Sequence, residues 1–289
     1  MSLLAHDRDG PAAEPVRLGC DLRARIPIWH GLETLPYGRG PCVAALGVFD
    51  GVHRGHAALL ERAVELGRAR GLPVVMVTFD PHPARVVGAS RDTTALSSLS
   101  QRAEWAGALG VDAVTVLPFT GELAALSPIE FTQTVLVDAL AVEAVVVGAN
   151  FTFGARAAGT PDTLAALGET YGFSAHPEQL LPIDDTTCSS THIRNCLRRG
   201  EVGAAAAALG RAHQVDARAH IGVLTVDEHT ALPAPGRYRA RFTSDPDHEP
   251  VELVGSVEID AGRQLAPDPV LPTRPGTRVL VSFLDRGLL

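Results

Sequence analysis

The sequence predicts an α/β protein: a parallel sheet with helices on both faces, followed by a small, shortened antiparallel β-barrel-like domain. Three observations predict it. Continuous β-branched apolar runs alternate with helical segments from Cys42 to Leu209, the pattern of strands buried on both faces. A Gly-punctuated turn, Gly47 to His56, joins the first long apolar run directly to a helical segment. From His213 to Leu289 the runs shorten and alternate, with Pro, Gly and Asp turns between them.

The elements follow in order. Met1 to Ile26 is polar, Gly/Pro-punctuated and without periodicity, which predicts a mobile extension. Cys42–Phe49 is a strand, Gly55–Arg70 a helix, Pro73–Phe79 a second buried strand and Ser97–Leu109 a second helix. Val111–Leu117 is a third strand. Ser127–Leu140 is helical, with Ser127 as N-cap and Pro128 at the first position. Ala144–Val147 and Phe173–Leu181 complete the strands, and Glu201–Leu209 is the last helix of this part. In the tail, Ala219–Val226, Gly236–Thr243, Val251–Ile259 and Thr277–Leu284 are the strand-like runs.

Composition sets the bounds. The 289 residues are 46% hydrophobic and 20% charged, as in a soluble globular chain with room for two domains. No apolar run is long enough to span a membrane, and Met1 to Pro15 has no apolar signal region. Cys20, Cys42, Cys188 and Cys196 form no C-x-x-C pair and no disulfide framework, which fits a reducing cytoplasm. A net charge of −8 argues against nucleic acid as the main partner, so an anionic ligand needs local donors.

Two stretches supply such donors. In Gly47-Val48-Phe49-Asp50-Gly51-Val52-His53-Arg54-Gly55-His56 the turn delivers the chain to a helix N-terminus, where unpaired N–H groups suit a phosphate. Gly47, Gly51 and Gly55 allow close approach, and His53 and His56 stand three apart, able to face one ligand. Cys188-Ser189-Ser190-Thr191-His192-Ile193-Arg194 is a second capped helix start with an Arg one turn along. A thiol at such a start has its pKa lowered, which makes Cys188 a candidate reactive cysteine. His192 is expected in solvent, and Trp29 in packing. Other polar groups sit after strands. Asp80, Pro81, His82 and Pro83 form an extended loop. Past Gly148, the Asn150 amide offers donor and acceptor, and Phe151 and Phe153 offer rings to a flat ligand.

The ten-residue stretch ending His53-Arg54-Gly55-His56 resembles the H-x-G-H signature of the nucleotidyltransferase superfamily. In its longer form it is similar to the adenylyltransferase module of bacterial bifunctional riboflavin kinase/FMN adenylyltransferases (FAD synthetases). Ser189-Ser190-Thr191-His192-Ile193-Arg194 resembles the S-S-T-x-I-R signature of the same superfamily. Thr78-Phe79-Asp80-Pro81-His82-Pro83, Leu117–Thr120, Leu123–Pro128 and Val147–Gly154 resemble further parts of the module, and Pro27–Leu32 looks like its opening strand.

The resemblance implies a Rossmann-like nucleotidyltransferase domain over 27–211, after the extension at 1–26, with the small β domain at 212–289. It implies transfer of AMP from ATP to FMN, giving FAD and pyrophosphate. His53 and His56 would hold the ATP phosphates beside Gly47, Phe49, Gly51 and Gly55. Ser189, Ser190, Thr191 and Arg194 would hold the β and γ side. Asp50 would orient the loop or contact metal-bound water. Asp80, Pro81, His82, Pro83, Asn150, Phe151 and Phe153 would line the flavin or adenine side. Mg²⁺ is expected with ATP, on phosphate oxygens and water rather than in a protein cage.

The resemblance ends before the tail. The Gly-x-Pro-Thr-Ala-Asn segment of a riboflavin kinase barrel is not recognisable, and the Pro272-Thr273 pair sits in a turn sequence. The tail is therefore expected to be a kinase-dead relative of that barrel. Two alternatives remain beside FMN adenylylation: another phosphorylated acceptor for the same chemistry, and a non-catalytic flavin or nucleotide binder.

Overall fold

A computed structural model describes residues 26–36, 40–88, 92–179, 182–183, 186–244 and 250–286. The expected extension at 1–26 falls almost wholly outside them. Six strands form the parallel sheet: β1 (Ile28–His30), β2 (Cys42–Leu46), β3 (Val74–Asp80), β4 (Ala113–Pro118), β5 (Val142–Gly148) and β6 (Ser174–Glu178). Their order is β1-β4-β3-β2-β5-β6, with β2 flanked by β3 and β5.

Strand β2 shows why both faces must be covered. All five of its residues are buried. Successive side chains of a strand point to opposite faces. Val43 and Ala45 pack under α1 (Arg54–Arg70), which contributes Leu60, Ala63 and Val64. Cys42, Ala44 and Leu46 meet the other layer, where Phe131, Leu136 and Leu164 close the core.

Short helix α2 (Pro83–Val86) follows β3, and α3 (Leu99–Leu109) joins α1 on its face. After β4 come α4 (Gly121–Ala125) and α5 (Pro128–Phe131), which runs on through wider π turns over Thr132–Ala139. There Leu140 N–H reaches back five residues to Val135 O at 3.1 Å. Ser127 caps α5 and is capped in return by Glu130, as Ser98 and Gln101 do for α3. Helix α6 (Pro161–Tyr171) precedes β6. The strand expected over Phe173–Leu181 is described only as β6, an edge strand carrying Pro177; residues 180–181 lie outside the described set. A two-stranded ribbon, β7 (Pro182–Ile183) with β8 (Thr186–Thr187), leads to α7 (Ser190–Arg198) and α8 (Val202–Leu209).

The tail closes a six-stranded antiparallel barrel from β9 (His213–Ala219), β10 (Leu224–Thr225), β11 (Gly236–Ser244), β12 (Val251–Ile259), β13 (Leu265–Asp268) and β14 (Arg278–Arg286). Two details differ from the sequence reading. Ala219–Val226 is a turn rather than one strand: Ile221 is 92% exposed, and His220 N–H bonds Val223 O at 2.8 Å. Strand β9 was missed because its inward residues include the small Ala217 and Ala219 between polar neighbours. Closure removes sheet edges. The barrel core is Tyr238, Phe242, Phe283 and aliphatics, and it continues into α7 and α8 through Ile193, Leu197, Ala205 and Leu209. The sequence signatures change near 211, whereas packing already joins α7 and α8 to the barrel.

The two parts are stitched at the segment before α3. Ala95 N–H donates to His229 O at 2.6 Å, and Ala231 N–H donates to Ala95 O at 2.8 Å. No helix among the described residues is long and apolar enough to cross a membrane.

Candidate active site

The strand order reverses at β2, whose neighbours are β3 and β5. Loops leaving the carboxyl ends of these strands converge there, the ligand position of an open parallel sheet. They are Gly47–His53 after β2, Asp80–His82 after β3 and Ala149–Phe153 after β5.

The loop after β2 is wound tightly. Phe49 (φ 51°), Gly51 (φ 81°) and Val52 (φ 35°) all take left-handed backbone. Gly51 does so freely, but a β-branched Val52 stores strain of about 1–3 kcal/mol. Hydrogen bonds hold it there. Thr78 Oγ1–H donates to Val48 O at 2.7 Å, Gly51 N–H donates to Ser97 Oγ at 2.9 Å, and Arg211 donates to Gly51 O and Val52 O. Gly55 leaves room for the His53 ring, since a Cβ there would stand 3.3 Å from it.

His53 is the N-cap of α1, and its Nδ1 accepts the His56 N–H at 3.2 Å. An accepting Nδ1 puts the proton of the neutral ring on Nε2, which becomes a free donor. The two imidazoles stack with centroids 3.6 Å apart, and His56 also tilts against Phe49. Burial pushes His53 down to about 4, opposed by Asp50 and reinforced by Arg211 and Arg194. Burial also holds His56 well below its usual value, with His53, Arg102 and Arg211 adding to it. Both rings are therefore neutral at physiological pH. His56 Nδ1 is buried with no partner among the described residues, a costly condition that a ligand atom or water relieves.

Asp50 is 1% exposed and is the node of the site. Its Oδ1 accepts from Arg102 at 3.0 Å, its Oδ2 accepts from Arg194 at 2.5 Å, and Leu96 N–H bonds both oxygens. Both carboxylate oxygens of Asp50 are thus engaged by donors of the protein. Arg194 is 4% exposed and also donates through Nε to Thr94 O at 2.7 Å; its Nη1 takes part in neither bond. Ser190 Oγ–H donates to Asp50 O at 2.9 Å. Ser189 caps α7 by accepting His192 N–H, and Thr191 is exposed. The two signatures thus form one bonded unit.

Cys188 departs from expectation. It is buried, with Sγ 3.5 Å from His53 Nδ1 and 3.4 Å from Ala208 O. Burial pushes its thiol up, outweighing the helix start that was expected to lower it. His192, expected in solvent, is half-buried with Nε2 3.5 Å from Cys196 Sγ.

On the other side, Asp80 and Pro81 are exposed, His82 caps α2 by accepting Ala84 N–H at 3.1 Å, and Pro83 opens that helix. Asn150 is exposed at the end of β5. Phe151 is half-buried and stacks on Phe153, which is 6% exposed and packs against Phe131. A buried ring offers no face to a flat ligand, so Phe151 is the more accessible of the two. Trp29 is half-buried packing, as expected.

Sequence reading missed Arg102, Ser97, Thr94 and Arg211. One signal marked Arg102. It falls on the apolar stripe of α3, with Leu99, Ala103 and Ala106 at helical spacing, where a charge needs a buried partner. Arg211, just past α8, carried no such mark. Among the described residues no group of three or more His, Cys, Asp or Glu is placed to hold a metal ion.

Acid should weaken this protein. His53 and His213, the latter buried in the barrel, are both lowered from 6.5 to about 4 by burial. Below 6.5 the unfolded chain therefore binds more protons than the native one, and stability falls as pH drops towards 4. Each group accounts for about 3 kcal/mol across that window. Denaturant midpoints are expected to fall steadily from about pH 7 to 4.5, less steeply in His213→Leu. Midpoints flat across that range would contradict the assignment.

A family model described as FAD synthetase matches residues 37–192. The chain is 40% identical over 194 residues to the bifunctional riboflavin kinase/FMN adenylyltransferase of Pseudomonas fluorescens, covering 65% of this chain and 60% of that one. It is 34% identical over 189 residues to the enzyme of the same name from Escherichia coli K12, again covering 65% and 60%. The chain thus spans about 60% of the length of these curated relatives. A crystal structure titled macrolide-efflux protein, from Streptococcus pneumoniae, superposes with a TM-score of 0.77 at 21% identity over 91% of each chain, a likeness of fold. The matched model takes in more than half of the chain, and the chain belongs to the FAD synthetase family.

Proposed function

We propose that this chain transfers AMP from ATP to FMN, giving FAD and pyrophosphate. Residues 27–211 would carry the reaction and 212–289 the small barrel. The observation that carries this reading is the pair of stacked, neutral imidazoles at the start of α1, one with a free Nε2–H and one with a buried unpartnered Nδ1. Such a pair offers hydrogen bonds to a phosphate without bringing its own charge.

The FMN phosphate oxygen attacks the α-phosphorus, and the bond to the β-phosphate bridging oxygen breaks. The acceptor is already ionised, so no strong base is needed, and catalysis is positioning plus charge stabilisation. His53 and His56 would bind the α-phosphate side and strengthen their bonds as charge grows. The α7 start, with Ser189, Thr191 and Nη1 of Arg194, would hold the departing pyrophosphate. Asp50 and Arg102 would fix Arg194 in place. Asn150, Phe151, Asp80, Pro81, His82 and Pro83 would border the flavin. Mg²⁺ would come with the triphosphate, held by phosphate oxygens and water, and would offset its charge.

The reading assigns no riboflavin kinase activity to the barrel. Its Pro272-Thr273 pair lies in the irregular loop between β13 and β14. FMN would then come from a separate kinase, in a cytoplasmic setting. Pyrophosphate release from ATP that depends on added FMN tests the reaction. Release that other phosphorylated acceptors support and FMN does not would overturn the choice of acceptor.

A further inference from the structure

We propose that Arg211 is a positioning residue for the phosphate loop: a forked cation that holds the left-handed backbone of Gly51 and Val52 and so sets His53 at the start of α1. The proposal rests on the adenylyltransferase reading for its kinetic consequence, and on geometry alone for the rest.

The guanidinium lies over the Trp105 ring, 3.3 Å from its centroid. From that seat Nη2 donates to Gly51 O at 2.5 Å, and Nη1 donates to Val52 O at 3.0 Å and Leu209 O at 3.1 Å. Its Nε is buried without a partner; the charge of Glu104 acts on it, but its hydrogen bonds go to backbone. A cation whose hydrogen bonds all go to carbonyls is spent on orienting backbone.

The carbonyls it holds stand directly ahead of the catalytic helix. Gly51 and Val52 are at φ 81° and 35°, and Val52 immediately precedes His53. Holding both oxygens fixes the direction in which the chain enters α1. That direction decides where the His53 ring stands beside His56. A planar fork matches two successive carbonyls, whereas an ammonium is a point charge on a flexible stem. The same cation faces both imidazoles, along with Asp50 and Arg194 at His53 and Arg102 at His56, and adds to the forces keeping them neutral. Because Arg211 stands two residues before β9, the barrel's first strand is tied directly to the phosphate loop. The Ala95 pairing with 229–231 ties the barrel to the Asp50 side as well.

The test uses the full chain with Arg211→Lys, Arg211→Met and Trp105→Leu. In both Arg211 variants kcat for FAD formation is expected to fall about a hundredfold, with KM for FMN changed less than about twofold, because the flavin-side loops are untouched. Trp105→Leu, which removes the seat, is expected to lower kcat about tenfold. In every variant the His53 and His56 ring signals should shift in NMR spectra of the ligand-free protein. A residue with a merely structural role would lower the melting temperature and leave kcat of the folded protein intact, and that result would overturn the proposal. If the unsubstituted protein makes no FAD, the adenylyltransferase reading fails instead. The NMR comparison then decides for Arg211, unchanged ring signals counting against it.

Discussion

Asp50→Ala is expected to cost about 3–5 kcal/mol of stability and lower the melting temperature by roughly 10 °C. The carboxylate is 1% exposed and lies between two guanidiniums, those of Arg102 and Arg194. Deleting it leaves two buried cations facing one another, with Leu96 N–H also losing its acceptor. The penalty is chiefly that of stranded charge, since a buried pair contributes little net stability when intact. Asp50→Asn keeps one acceptor for Leu96 and is expected to lose less. Calorimetry of both variants checks this. A melting temperature within about 2 °C of the unsubstituted protein for Asp50→Ala would show that the node is not structural.

His53→Asn and His56→Asn are expected to lower kcat for FAD formation about 10²–10³-fold each, the usual loss for one donor aimed at developing charge. Asn is chosen at 53 because it caps helices well, so the start of α1 survives while the imidazole goes. Melting temperatures should change by a few degrees at most. The double variant should lose far less than the product of the two, because the rings stack at 3.6 Å and act as a unit. FAD formation within tenfold of normal in His53→Asn would remove His53 from the mechanism.

Much of this was legible in the sequence. The strands buried on both faces announced themselves through apolar runs such as Val74–Val77, and Gly47–His56 fell at a strand end as strand–turn–helix order requires. Capping at Ser127 and Ser189 was visible because caps are local. What the sequence could not show was pairing at long range. That Asp50 would meet Arg194, 144 positions away, and Arg102, 52 away, depends on how three elements converge. Local chemistry also misled: at Cys188 a helix start argued for a low thiol pKa, and only the packing around it shows that desolvation wins. In the tail, β9 hid because small inward Ala residues give weak alternation.

The most direct test incubates the purified protein with ATP and Mg²⁺ in two tubes, one with FMN and one with riboflavin, and separates the flavins by HPLC. FAD from FMN, with riboflavin left unchanged, is the predicted result. FMN or FAD formed from riboflavin would contradict the reading of the barrel, and the absence of FAD from both tubes would contradict the reaction assigned to His53 and His56.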